Sequence, residues 1–211
     1  MTAIILASSS RYRQALLAGL GIQAQAIAPD IDETPLPGEE PWAVAARLAC
    51  AKASKIGSLH PHAITIGSDQ VAVLYNKAEE PRLLGKPGTC DKAVEQLTAC
   101  AGNQVTFYTA LCVYSPQHGP INATDTTVVH FKPLSQAAIQ AYVEHEQPLD
   151  CAGSFKCEGV GALLFERIEG RDPNSLIGLP VMLLRDLLAK VNIDLLALAT
   201  SKPVNSQASG Q

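Results

Sequence analysis

The stretch "AITIGSDQVAVLY", residues 63–75, decides how the chain is read. It is apolar over most of its length and reads as β-structure, either a strand pair or one long bent strand with Gly67 at its middle. Asp69 and Gln70 stand inside it, directly after a small Gly-Ser pair. A carboxylate within an apolar strand is costly unless a metal, a cation or a proton offsets its charge. The plainer alternative is an aspartate that caps a strand end.

Working outward, Thr2–Ala7 is a short apolar strand without alternation, as expected of a strand buried on both faces. Ser10 can cap a helix that begins at Arg11, with Ala15, Leu16 and Leu17 inward and Gly19–Gly21 as the stop. Gln23–Ala28 is a second strand, and the acidic, proline-rich "PDIDETPLPGEEP" a loop. The segment "WAVAARLACAKASKIGSL" is a helix whose inner face carries Trp42, Val44, Ala45, Leu48 and Ala51.

Beyond the opening stretch, "NKAEEPRLLGKPGT" reads as a loop and "CDKAVEQLTAC" as an amphipathic helix. "QVTFYTALCVYS" and "ATDTTVVHFKPL" are adjacent antiparallel strands joined by a turn at "PQHGP". A serine-capped helix, "SQAAIQAYVEHE", follows. "GALLFERIEG" is a late strand, "RDPNSLIGLP" a loop and "VMLLRDLLAKV" the closing helix. Helices and strands mix without a strict βαβ rhythm, which gives an α/β fold with a mixed sheet. Long central strands suit two lobes with a cleft between them. We expect one domain over residues 1–195 and a disordered C-terminal tail over 196–211.

The 211 residues are 47% hydrophobic and 17% charged, enough for a sizeable core. A net charge of −4 argues against a nucleic-acid surface, so any anion site must be local. No apolar run is long enough for a signal peptide or a membrane span, and a cytoplasmic protein is expected. The six cysteines form no CxxC pair and read as reduced core thiols.

Five pieces could carry chemistry. Ser8, Ser9 and Ser10 supply hydroxyls at a helix start, and Arg11 and Arg13 supply charged forks, a combination suited to phosphate. The pattern lacks the glycines and GK[ST] of a Walker loop, and serine-rich caps are also ordinary helix starts. Asp69 is the second piece. In the acidic loop, Glu33 together with Asp69 would meet the needs of magnesium, which takes one or two carboxylates plus substrate phosphates. Lys52 and Lys86 could add positive charge. "CAGSFKCEGVG" surrounds Lys156 and Glu158 with small residues that permit close backbone approach or a plain tight turn. Arg171, Asp172 and Asn174 read first as a hydrogen-bonded turn.

In order and spacing, "ILASSSRYRQALL", "DETP", "KA", "GSDQV", "GKP", "TFYTAL", "AGSFKCEG" and "GRDPNSLIGLP" resemble the Maf family of nucleotide pyrophosphatases. The resemblance spans nearly the whole chain. It implies an elongated, two-lobed fold with a central cleft, related to the inosine-triphosphate pyrophosphatases. It also implies hydrolysis of a nucleoside triphosphate to the monophosphate and diphosphate with a divalent metal, for which magnesium, manganese and cobalt are all compatible. Carried over by position, Asp69 is the proton acceptor. Ser8, Arg13, Lys52 and Lys86 handle phosphate, and Glu33 with Asp69 handles the metal.

The family divides by base. Its dTTP/UTP branch has arginine, threonine and glutamine where this chain has Tyr12, Gln70 and Glu158. The present set resembles the branch acting on 7-methyl-GTP, although that branch often carries tryptophan at position 12. N7-methylation makes guanine cationic, which favours an aromatic face over an arginine. A carboxylate such as Glu158 can accept the N1–H and N2–H2 donors of guanine. Tyr12, Gln70 and Glu158 are therefore the expected base readers. A pyrimidine or broad-specificity pyrophosphatase, and a non-catalytic nucleotide-binding regulator of septum formation, are the alternatives. The expected partner is a small nucleotide, with neither nucleic acid nor membrane, and a homodimer is one compatible state.

Overall fold

The computed structural model describes residues 3–75 and 81–201. In chain order its elements are β1 (Ala3–Ala7), α1 (Arg11–Gly19), β2 (Ala24–Ala26), α2 (Pro41–Gly57), β3 (Ala63–Tyr75) and β4 (Arg82–Leu84). They continue with α3 (Cys90–Cys100), β5 (Gln104–Ser115), β6 (Gly119–Phe131), α4 (Gln136–Glu146), β7 (Phe165–Glu169), α5 (Val181–Ala189) and α6 (Leu195–Thr200). The strands form one seven-stranded mixed sheet in the order β2-β1-β3-β5-β6-β7, with β4 also against β3. The mixed α/β architecture read from the sequence is the one observed.

β3 is one continuous strand, and it changes partner halfway along one edge. Its first half runs parallel to β1, from Ala3 opposite Ala63 to Ala7 opposite Gly67. Its far half is antiparallel to β4, from Ala72 opposite Leu84 to Leu74 opposite Arg82. The other edge pairs with β5 from Thr65 to Tyr75. Between Gly67 and Ala72 the first edge therefore has no strand partner. β1 and β4 approach this gap from opposite ends, because one is parallel to β3 and the other antiparallel. The chain leaving β1 places Ser8 there, and the chain leaving β4 leads through Gly85 to Lys86. A sheet that splits in this way opens a crevice at the split.

α2 covers the sheet behind the gap through a seam of small residues: Ala45, Ala49 and Ala53 against Ala110 and Cys112. At Gly67 the approach is closest. A Cβ there would stand 2.3 Å from the Ala49 carbonyl oxygen and 2.7 Å from the Ala53 nitrogen. Two larger cores flank the cleft. One gathers Ile4, Leu6, Leu17, Ile66, Leu184 and Leu188 around β1, α1 and α5. The other packs α3 and α4 against the far half of the sheet. It holds all four phenylalanines, Phe107, Phe131, Phe155 and Phe165, in edge-to-face contacts of 4.8–5.7 Å.

Several local expectations change. Trp42 is 54% exposed, because the packed alanine seam of α2 begins one turn further in, at Ala45. Ala15 is exposed, lying some 200° around α1 from the buried Leu17. Within the segment read as a loop, Arg82–Leu84 forms β4, while residues 76–80 lie outside the description. The late strand is shorter than expected, since Gly159–Leu164 is a 3-10 helix and β7 starts at Phe165. The tail expected from residue 196 is helical through Thr200, and residues 202–211 lie outside the described residues. The cysteines are all free, and among the described residues no helix is long and apolar enough to cross a membrane.

The seam makes Gly67 a test of the architecture. Gly67→Ala should lower stability by about 1–3 kcal/mol, read as a lower urea midpoint at unchanged slope. Gly19→Ala, where a Cβ meets nothing within 4 Å, should stay within about 0.5 kcal/mol of the parent.

Candidate active site

The gap in the sheet opens into a cleft of about 890 Å³. Ser8, Tyr12, Arg13, Glu33, Lys52, Asp69, Gln70, Lys86 and Glu158 all line it. Residues spread over 150 positions of sequence are thus brought to one cavity.

At its floor Lys52, on α2, faces Asp69, on β3. The ammonium is 2.6 Å from Asp69 Oδ1 and 2.7 Å from Glu33 Oε1. Lys52 is 6% exposed and Asp69 7%. The cation is therefore what offsets the buried carboxylate. Burial pushes the Asp69 carboxyl above its ordinary range, and the opposing charges of Lys52 and Arg13 do not cancel the rise. A carboxylate poised in this way can take a proton from a bound water more readily than a free aspartate.

Arg13 is clamped by backbone. Its Nε donates to the Gly178 carbonyl at 2.8 Å and its Nη1 to the Ser68 carbonyl at 2.9 Å, where β3 lacks a strand partner on one edge. Ser68 Oγ donates to the same Gly178 carbonyl at 2.6 Å. Gly178 sits at φ +95°, a left-handed conformation that suits glycine, and a Cβ there would press on the guanidinium at 3.0 Å. Burial pushes Arg13 below its ordinary value, opposed by Asp69 and Glu33. Ser10 caps α1 as expected by accepting from the Arg13 amide at 3.4 Å, and Ser8 Oγ accepts from the Ser10 amide at 3.1 Å. A capped helix start, two serines and a fixed guanidinium form an anion cradle.

The other end of the cleft is built differently. Gln70 Nε2 donates to Thr109 Oγ1 at 2.9 Å and to the Ser175 carbonyl at 2.8 Å. A carbonyl can only accept, so the amide orientation is set, and Oε1, which has no hydrogen-bond partner among the described residues, is the atom left for a ligand. Tyr12 OH donates to Asp150 Oδ1 at 3.3 Å. Glu158 is exposed and accepts from Cys157 Sγ at 3.3 Å. Lys156, singled out with it, is drawn instead to Glu146, 3.5 Å from Oε2.

Asp172 Oδ1 accepts from the Asn174 amide and Nδ2, both at 2.9 Å, and Oδ2 accepts from the Met182 amide at 2.7 Å. This is the hydrogen-bonded turn expected of that loop. It presents the Ser175 carbonyl to Gln70. Thr109, Ser175 and Asp150 were not singled out in the sequence. The first two look like ordinary strand and loop residues, and only the acid beside "CAGSF" offered a signal.

Among the described residues no group of three or more His, Cys, Asp or Glu side chains could enclose a metal. Glu33 and Asp69, however, already converge on one cationic point, and carboxylate oxygens are the donors a hard divalent cation takes. The donor set fits a cation that completes its shell with substrate phosphate and water.

A buried carboxylate–ammonium pair beside an anion cradle is the equipment of a phosphate-handling site. The chain belongs to the Maf family, since residues 3–191 match the Maf-like protein family. It is 46% identical over 194 residues to a Thiobacillus denitrificans protein named 7-methyl-GTP pyrophosphatase, covering 92% of this chain and 94% of that one. A Vibrio vulnificus protein of the same name is likewise 46% identical, over 92% of this chain and 97% of its own. Among solved structures, the Staphylococcus aureus Ham1 protein gives a TM-score of 0.45 at 16% identity, over 62% of this chain and 72% of that one.

If Lys52 holds Asp69 down against burial, Lys52→Met should raise the Asp69 pKa further, by about 1–3 pH units. Carbon-13 NMR titration of the aspartate carboxyls reads this directly. An unmoved Asp69 resonance would show that the ammonium does not govern its charge.

Proposed function

We propose that the protein hydrolyses 7-methyl-GTP to 7-methyl-GMP and diphosphate. The observation that carries this reading is the meeting, in one cleft, of a buried acid–base pair and anion cradle with Tyr12, Gln70 and Glu158. The names of relatives sharing 45–46% of their residues over 92–93% of this chain support it.

In this reading the triphosphate lies against Ser8, the start of α1, Arg13, Lys52 and Lys86. A water oxygen attacks the α-phosphorus, the bridging bond to the β-phosphate breaks, and diphosphate leaves with the bonding pair. Asp69 takes the proton released by the water. Its raised pKa makes it a stronger base than a surface aspartate, and the charge of Lys52 opposes the rise and favours the carboxylate form. Arg13 does not swing: two backbone carbonyls hold it, so its charge is in place before the transition state forms. Glu33 and Asp69 are the residues that would hold a divalent cation, magnesium, manganese or cobalt. Such a cation supplies Lewis acidity at phosphate oxygen and lowers the pKa of a bound water.

Guanine presents N1–H and N2–H2 donors, and both Glu158 and the free Oε1 of Gln70 accept. Tyr12 offers a ring face to the cationic methylated base. Uracil and thymine present one ring N–H flanked by carbonyls, a poorer match to two acceptors.

Pyrophosphate release from 7-methyl-GTP, GTP and UTP with magnesium tests the reading. Turnover should be highest on 7-methyl-GTP. Asp69→Asn should lose about 10²–10⁴-fold in kcat while still binding nucleotide. Glu158→Gln should shift preference away from the guanine nucleotides, and an unchanged order of substrates would overturn the base assignment. As the active form is the carboxylate, kcat/KM should fall as pH drops through the raised pKa of Asp69, a limb absent from Asp69→Asn.

A further inference from the structure

At the base end Tyr12 is joined in a closed ring by two residues that the reaction as described does not use, Arg11 and Asp150. Tyr12 OH donates to Asp150 Oδ1 at 3.3 Å. Arg11 Nη2 donates to the same phenol oxygen at 3.1 Å and to Asp150 Oδ2 at 3.2 Å. The Arg11 guanidinium carbon also lies 5.0 Å from the centroid of the Tyr12 ring, within cation–π range. All three residues line the cleft, and the ring ties α1 to the loop that follows α4.

An aromatic face that carries a delocalised planar cation, with a carboxylate hydrogen-bonded to its phenol, is a receptor for such a cation. In the free protein the cation is Arg11. A guanidinium and an N7-methylated guanine share the relevant features: each is flat, positively charged and weakly hydrated, with the charge spread over several atoms. Arg11 is also easily given up. Its side chain is 73% exposed and its bond to Asp150 is a single contact, the kind of surface ion pair worth little in water. A cationic base can therefore replace Arg11 on the ring, cation for cation. A neutral guanine that displaced it would leave Asp150 without a counter-charge and the ring without a cation, although Tyr12 would still donate to the carboxylate. The phenol–carboxylate bond adds to the effect, because donating to an anion makes the ring richer in electrons.

We infer that Asp150 is a specificity-determining residue for a cationic base, and that Arg11 holds the place of that base in the free protein. This rests on the reading that 7-methyl-GTP is the substrate. Asp150 is suited to the task. Burial would push its carboxyl up, but hydrogen bonding from Cys151 and the charge of Arg11 bring it below its ordinary value, so it is anionic at neutral pH. Burial meanwhile pushes the Tyr12 phenol up, so it stays a donor.

The test is the ratio of kcat/KM for 7-methyl-GTP to that for GTP, which is independent of the fraction of enzyme folded. In Asp150→Asn the side chain can still accept from Tyr12 but has lost its charge. The ratio should fall about tenfold, and the fall should appear in KM for the methylated substrate rather than in kcat. In Arg11→Ala the ring is vacated, and the ratio should equal or exceed that of the wild type. An Asp150→Asn ratio within about twofold of wild type overturns the role of Asp150. An Arg11→Ala ratio as low as that of Asp150→Asn overturns the place-holding role, because Arg11 would then be part of the recognition. A wild type with no preference for the methylated base overturns the functional reading and this inference together. A wild type with that preference and an unmoved Asp150→Asn overturns this inference alone.

Discussion

The contact between Lys52 and Asp69 is the constraint on which the rest of the molecule depends. Removing two charges from water costs several kcal/mol per ion, and the loss is offset only at close range and in good geometry. At 2.6 Å the pair meets that condition, but only because α2 lies directly on β3. The alanine seam and Gly67 allow that approach, since any side chain at 67 would meet the helix backbone. Residues that look like filler therefore set the height of the Lys52 ammonium above the Asp69 carboxylate. The pair in turn anchors the middle of β3, where the sheet is open on one edge.

That open edge explains why the cleft lies where it does. β3 belongs to both halves of the molecule, paired with β1 in one and β4 in the other. Each flanking strand ends at the break and hands its next residues to the cavity. The two cores stand on either side, so the cleft is walled by rigid packing. The polar stretch of β3 between the two pairings exposes the Ser68 carbonyl, and Arg13 uses it. An acidic chain can in this way present a local positive charge, because the guanidinium is fixed in place by backbone.

The two ends of the cleft follow different physics. The phosphate end uses buried groups with fixed partners, so its electrostatics are strong and need little rearrangement. The base end uses more exposed groups, Arg11, Glu158 and a partly buried Tyr12, whose interactions are individually weak. In the proposed reading, discrimination between bases comes from the sum of several modest terms at the rim. A change among the exposed rim groups would then leave the buried Lys52–Asp69 pair undisturbed.

Much of this is local and legible in the residues alone. The Ser10 cap, the long helix of small residues, the β5–β6 hairpin and the apolar run around Asp69 all follow from neighbouring side chains. So does the need for a metal, a cation or a proton at Asp69 if it lies inside the strand, because burial of an uncompensated carboxylate is costly. What escaped depends on contacts between distant segments. Nothing near Arg82–Leu84 marks three residues as a strand, since their partner edge lies on β3. The exposure of Trp42 follows from where the alanine seam starts. The orientation of Gln70 is dictated by a carbonyl 105 residues away, and Tyr12 meets an acid 138 residues on. The sequence by itself determined which groups had to find partners. Only the tertiary structure decided which partners they found, because burial and hydrogen-bond geometry act through space between segments that no sequence pattern links.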